Sequence, residues 1–281
     1  MLLVRSRREL ERARSTMSEP VGAVLTMGAL HEGHLELVRT ARQRVGVDGS
    51  VVLTLFVNPL QFGPQEDLDR YPRTFEADLA AAEAEGVDLV FAPDVDEVYP
   101  DGPATITVDP GELGTVLEGA ARPAHFRGVL TVVAKLLNLV RPALTVFGEK
   151  DYQQLVLVRR MCSELDLGVE VVGAPTVREA DGMAMSSRNA YLSGPQRASA
   201  TVLSQALRAA QDAAPQGASA AVAAARDLLE AHASVDVDYL VVTGPELGPA
   251  PSRGPGRMLV AARVGSTRLL DNAALSLGGA A

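Results

Sequence analysis

The stretch VLTMGALHEGHLELV, residues 24–38, carries the residue types and spacing best suited to chemistry. His31 and His34 stand three positions apart, and Gly28 and Gly33 bracket them. An apolar run ends at Thr26, and a helical pattern opens near Gly33. A helix start presents unpaired N–H groups and a partial positive charge, which suits phosphate. Two imidazoles beside it add hydrogen-bond donors, and Gly33 lets a backbone approach a ligand closely. The zinc signature H-E-x-x-H is a different pattern, because here the second histidine comes one residue early. A metal pair and two histidines without a role are the competing readings. The strand-to-helix setting favours nucleotide phosphate.

Four more stretches offer polar groups in similar settings. FVNPLQF, residues 56–62, follows a second core strand and supplies Asn58 and Gln61, amides that grip hydroxyls and carboxylates without charge. Phe56, Leu60 and Phe62 would wall a small apolar substrate there; an ordinary Asn-Pro turn is the plainer reading. FGEKDYQQL, residues 147–155, holds Lys150, one of only two lysines against 24 arginines. An ammonium suits a mobile polyphosphate better than a planar guanidinium does. Asp151 can cap the next helix, and Gln154 falls one turn beyond Lys150, where it could pair with Gln61 around one hydroxy acid. In RPAHFRG, His125 and Arg127 precede a helix expected at Gly128, a cationic helix start that an anion would relieve. In VREADGMAMSSRN, Ser186, Ser187 and Arg188 can wrap a pyrophosphate, although Ser-Ser-Arg alone is also a common solvated turn.

The elements needed to position these groups follow from periodicity. Strand-like runs at 21–26, 51–57, 87–91, 144–147 and 169–172 alternate with helical patterns at 7–14, 33–45, 74–85, 128–140 and 152–165. Apolar strands spaced by helices predict an α/β fold, a Rossmann-like parallel sheet with helices on both faces. After residue 174 the pattern changes to two Ala-rich helices, 195–213 and 218–233, then strands at 237–242, 258–263 and 267–270. That order predicts a smaller α+β C-terminal domain over 175–281, after a nucleotide- and substrate-binding domain over 1–174. The Gly/Pro-rich 244–256 reads as a loop between antiparallel strands, and 278–281 as a frayed tail.

Composition excludes several classes. The chain has 281 residues, 47% hydrophobic and 22% charged, with a net charge of −9. No basic footprint for nucleic acid is present. A single cysteine, Cys162, leaves no disulfide framework. The first residues lack a signal-peptide pattern, and no apolar run approaches the about 18 residues of a membrane span. The expectation is a cytoplasmic enzyme that contacts neither membrane nor nucleic acid.

TMGALHEGH resembles the HxGH motif of the nucleotidylyltransferase superfamily in the form found in pantothenate synthetases. FVNPxQF followed by EDLxxYPRT, then EGxxRPxHFRGVxTVVxKLxNLVxP, FGEKDYQQL and MSSRN resemble the same family, and the likeness runs over nearly the whole chain. The resemblance implies ATP-dependent condensation of (R)-pantoate with β-alanine through a pantoyl adenylate, releasing AMP and pyrophosphate. It implies catalytic roles for His34, Lys150, His31, Ser187 and Arg188. It places ATP at Met27, His31, His34, Gly148, Lys150, Asp151, Val177, Met185, Ser186, Ser187 and Arg188. It gives pantoate to Gln61 and Gln154, with Asn58, Tyr71, Arg122 and His125 as further substrate contacts. Mg²⁺ and a homodimer are also implied. Asp78 is the candidate metal ligand, but Ala77 stands where the family pattern has a neighbouring acid, and a solvated helix face is the alternative. Another HxGH transferase with a phosphorylated acceptor would lack the two glutamines and use more cations. A regulatory nucleotide-binding protein would have lost Lys150 or His34.

Overall fold

The computed structural model describes residues 1–63, Leu68 and residues 71–278. Residues 64–67, 69, 70 and 279–281, among them four of the nine in EDLDRYPRT, lie outside the described residues. The chain forms two compact units, one made of Met1–Glu149 with Gln153–Pro175, the other of Lys150–Tyr152 with the chain from Thr176 onward. The second unit thus takes three residues from the stretch that the sequence assigns to the first.

The first unit is built on a six-stranded parallel sheet. Its strands are β1 (Leu2–Val4), β2 (Val21–Thr26), β3 (Ser50–Leu55), β4 (Leu89–Phe91), β5 (Leu144–Gly148) and β6 (Glu170–Ala174), in the order β1-β4-β3-β2-β5-β6. Paired in register, Ala23 lies opposite Val52 and Thr145. Val51, Val52 and Leu53 are wholly buried, as both faces of a covered parallel strand require. Helix α1 (Arg7–Arg14) opens on a capping box in which Ser6 and Glu9 satisfy each other's backbone. Helix α2 (Glu32–Val45) buries Leu37, Val38, Ala41 and Val45 in one core with Val24, Leu53 and Val146. Helix α3 (Phe75–Ala84) adds Ala82 to it. Two single-turn helices, α4 (Val95–Val98) and α5 (Glu118–Ala121), lie in the connection before α6 (His125–Val140), and α7 (Tyr152–Glu164) links β5 to β6. Strand order reverses between β2 and β5, so the crevice at their carboxyl ends is a topological switch point, where open α/β sheets bind ligands.

The second unit carries α8 (Gly194–Ala200), α9 (Val202–Ala213) and α10 (Ala218–Glu230), followed by an antiparallel sheet β7-β8-β9. Its strands are β7 (Val235–Thr243), β8 (Gly254–Val264) and β9 (Thr267–Leu277). Ala206, Ala210, Ala221 and Ala225 are fully buried in one core with Leu207, Leu229 and Met258. The alanines of α9 and α10 therefore contribute packing as well as helix propensity. Strands β8 and β9 are longer than expected, pairing from Gly254–Leu277 to Val264–Thr267. Pro255 is tolerated because it lies beyond the last β7 pair, Thr243 with Arg257.

Candidate active site

β2 delivers the chain into the turn that holds both histidines. His31 is the N-cap of α2, with extended backbone, and His34 sits in the first turn. Their rings lie 4.0 Å apart between centroids. The His31 N–H donates to His34 Nδ1 at 3.3 Å. An Nδ1 that accepts leaves the ring proton on Nε2, so neutral His34 keeps a donor at that atom. A Cβ on Gly33 would stand 3.0 Å from the His31 ring, so glycine makes room for an imidazole here rather than for a ligand.

β3 delivers Asn58 and Gln61 into the neighbouring turn, residues 59–61. Asn58 is buried, 1% exposed, with its amide fully engaged. Its Oδ1 accepts from Tyr99 Oη (2.9 Å) and Leu60 N (3.3 Å); its Nδ2 donates to Gln61 Oε1 and Gly128 O (both 3.2 Å). The Asn58 amide is therefore filled by protein partners, and it orients the Gln61 amide. Gln61 Nε2 donates to Met27 Sδ at 2.9 Å, tying the two turns together.

His125 lies inside the first turn of α6, not ahead of it: the helix starts three residues before the expected Gly128. His125 Nδ1 donates to Gln61 O at 2.8 Å, and Nε2 accepts from Arg122 Nη1 at 3.0 Å. A carbonyl can only accept and a guanidinium can only donate, so the ring is neutral with its proton on Nδ1. Arg122 Nη2 also reaches Gln61 O at 3.4 Å. The helix docks this closely because residue 128 is glycine; a Cβ there would fall 2.1 Å from Leu60 O. Tyr71 is half-buried, edge-on to Phe62 with centroids 6.0 Å apart. Gln154 is half-buried in α7, while its neighbour Gln153 is spent on structure, binding Leu113 O, Val116 O and Glu118 N.

In the second unit, Met185 N donates to Val177 O at 2.9 Å, closing a hairpin whose end carries the serines. Ser186 caps a short 3-10 helix, Ser187–Tyr191, accepting from Arg188 N at 3.3 Å. Asn189 anchors that turn, donating to Glu179 Oε1 and Ala184 O. The hairpin is held by Arg178, which donates to both oxygens of the buried Asp271 at 2.7 and 3.0 Å. Lys150, Ser186, Arg188, Asn189 and Asp271 line one small cavity. Lys150 Nζ stands 3.6 Å from Asp151, and the Lys150 carbonyl accepts from Asn272 Nδ2 at 2.8 Å. Gly148 ends β5 in the first unit.

Asp78 is 4% exposed, so it is not on a solvated face. Its carboxylate accepts from Ala29 N (Oδ2, 2.9 Å), Leu30 N (Oδ1, 2.8 Å) and Thr74 Oγ1 (Oδ1, 3.0 Å). Three donors occupy most of the about four acceptor positions of a carboxylate. A magnesium ion there would face the positive ends of two N–H dipoles, so Asp78 does not fit a direct metal ligand. Sequence reasoning missed Tyr99, Gln153, Arg178, Asp271 and Asn272, because each acts through partners more than 30 positions away.

Fold and turn together define an α/β protein of the HxGH nucleotidylyltransferase kind. The family model described as pantoate-beta-alanine ligase matches residues 3–274. A pantothenate synthetase of Nocardioides sp. is 62% identical over 267 residues, 92% of this chain and 80% of that protein. One from Salinispora arenicola is 56% identical over 98% of both chains. The crystal structure of pantothenate synthetase from Thermus thermophilus superposes with a TM-score of 0.90 at 49% identity, covering 97% of this chain and 99% of that one. A pantoate-beta-alanine ligase from Francisella tularensis, complexed with beta-gamma ATP and beta-alanine, gives 0.80 at 29% identity over 97% of each. The chain belongs to the pantoate–β-alanine ligase family.

Proposed function

We infer that this chain condenses (R)-pantoate with β-alanine to pantothenate, consuming ATP and releasing AMP and pyrophosphate. The observation that carries the reading is the Nε2–H donor of His34 at the start of α2, at the switch point of a parallel sheet. Family membership supplies the substrates.

A free carboxylate resists amines, so it must first gain a leaving group. The pantoate carboxylate attacks the α-phosphorus of ATP, forming the acyl adenylate as the bond to pyrophosphate breaks. Charge building on the phosphates is met by donors from His34, His31, Lys150, Ser186, Ser187 and Arg188. Met27, Gly148, Asp151, Val177 and Met185 border the nucleotide. Gln61 and Gln154 hold pantoate by neutral hydrogen bonds, with Asn58 setting the Gln61 amide and Tyr71, Arg122 and His125 closing the substrate side. The β-alanine amine then attacks the acyl carbon, expels AMP and loses a proton. No enzyme nucleophile takes part: burial pushes the Cys162 thiol up to about 11, so it stays protonated at neutral pH. Magnesium is proposed only as the counter-ion that ATP brings on its phosphate oxygens.

The second unit, carrying residues 185–188, is proposed to shield the adenylate from water. We place the enzyme in the cytoplasm as a homodimer, in keeping with the family. No helix among the described residues is long and apolar enough to cross a membrane.

The test is adenylate formation by His34→Ala and Lys150→Ala, each with its melting curve. Losing one preorganised donor is expected to slow that step by about 100-fold or more. Near-normal rates in both folded variants would remove the site assignment.

A further inference from the structure

We propose that Asp78 is a positioning residue for the histidine turn: its carboxylate serves as an internal anion for the Ala29 and Leu30 N–H groups and holds no metal. The inference rests on the nucleotide reading of that turn and deepens it.

The turn between β2 and α2 is conformationally costly. Gly28 has φ +83° and Ala29 has φ +53°, so a residue with a side chain sits in the left-handed region. That placement is unfavourable for a residue with a side chain and persists only where neighbouring contacts hold it. The successive N–H groups of Ala29 and Leu30 converge on one side of the turn, a concavity that attracts an anion. Asp78 fills it. Its two oxygens take one N–H each, from Ala29 and Leu30, at 2.9 and 2.8 Å.

The carboxylate is itself pinned. Asp78 lies near the N-terminus of α3, whose dipole favours a negative charge. Thr74 Oγ1 donates to it, and the Asp78 N–H donates back to Thr74 O at 2.8 Å. Gly28 leaves the room that the carboxylate occupies, since a Cβ there would stand 2.9 Å from Asp78 Oδ2. The far end of the same turn is fixed independently, because Gly28 N donates to Thr26 Oγ1, which donates to Thr54 O. With residues 28–30 held, His31 and His34 follow within one short backbone segment. The amides of Ala29 and Leu30 are spent on this carboxylate.

The experiment compares wild type with Asp78→Asn and Thr74→Val. In Asp78→Asn one oxygen becomes an NH₂ that confronts a backbone N–H, so the turn loses its clamp. A misplacement of about 1 Å should lower kcat about 50- to 100-fold and weaken ATP binding. Half-maximal magnesium concentration, at fixed ATP, should stay within about twofold, because no metal ligand was removed. Calorimetric binding of a non-hydrolysable ATP analogue without magnesium should weaken too, which a metal ligand would not cause. Thr74→Val, which keeps the carboxylate, should shift the same quantities by a smaller factor, and it carries the test if Asp78→Asn does not fold. A magnesium requirement raised tenfold, with kcat restored at high metal, would overturn the proposal. So would unchanged kcat and unchanged analogue binding in both variants. Wild type that exchanges pyrophosphate without pantoate would count against the function instead, and the magnesium-free binding comparison would still decide the role of Asp78.

Discussion

Tyr99 Oη donates to the buried Asn58 Oδ1 at 2.9 Å, and through that bond a residue in the α4 connection sets the amide facing Gln61. Asn58→Ala removes both the acceptor for Tyr99 and the donor to Gln61. The expected result is a pantoate KM raised about 10-fold with a much smaller change for ATP, the size of roughly one lost hydrogen bond to an oriented group. Tyr99→Phe should move the pantoate KM in the same direction by less. Steady-state kinetics with each substrate varied checks both.

Tyr99 also makes stability depend on alkaline pH. Burial pushes its phenol from 10.0 up to about 12. The folded protein thus keeps a proton that the unfolded chain gives up near pH 10, so the stabilisation is complete below that pH and is lost as pH rises toward 12. Denaturant titrations should show wild type losing stability between about pH 10 and 12 more steeply than Tyr99→Phe, whose other tyrosines are the same. Parallel curves would contradict the buried, protonated phenol.

Gly128 lets α6 rest on the turn that carries Gln61. Gly128→Ala forces a Cβ to within 2.1 Å of Leu60 O, so helix and turn must separate. A loss of about 2 kcal/mol or more is expected, as for other overpacked sites. Because His125 and Arg122 both bind Gln61 O, the pantoate KM should rise with it. Melting curves and pantoate kinetics read the two effects; a variant unchanged in both would show that the close approach is not needed.

Strong local patterns made much of this architecture legible in the sequence. The run VGAVLT forms β2 over the expected residues, and RRELERAR forms α1, because periodicity and capping agree there. The histidine turn is equally readable, since a strand end, glycines and a helix start coincide within a few residues. The single helix expected over 195–213 fails at Thr201, although residues 196–213 contain neither glycine nor proline. There the Thr201 hydroxyl donates to Ala198 O at 2.8 Å, a side-chain bond that competes with the helix ladder. Strands β8 and β9 outrun their apolar cores because each supplies the other's backbone partners. Side chains suited to the proposed chemistry are visible in the sequence, but the residues that hold them are not. Asp78 and Tyr99 show why. A carboxylate on a helix and a tyrosine before a proline carry no local sign of the distant backbone or amide each one binds.

The most direct measurement of the central claim is exchange of labelled pyrophosphate into ATP by the purified enzyme, with and without pantoate and in the absence of β-alanine. If the histidine turn and the serine hairpin serve one adenylating centre, exchange requires pantoate, needs no amine, and is slowed about 100-fold or more in His34→Ala. Exchange at the same rate without pantoate, or none with it while pantothenate still forms, would contradict the account.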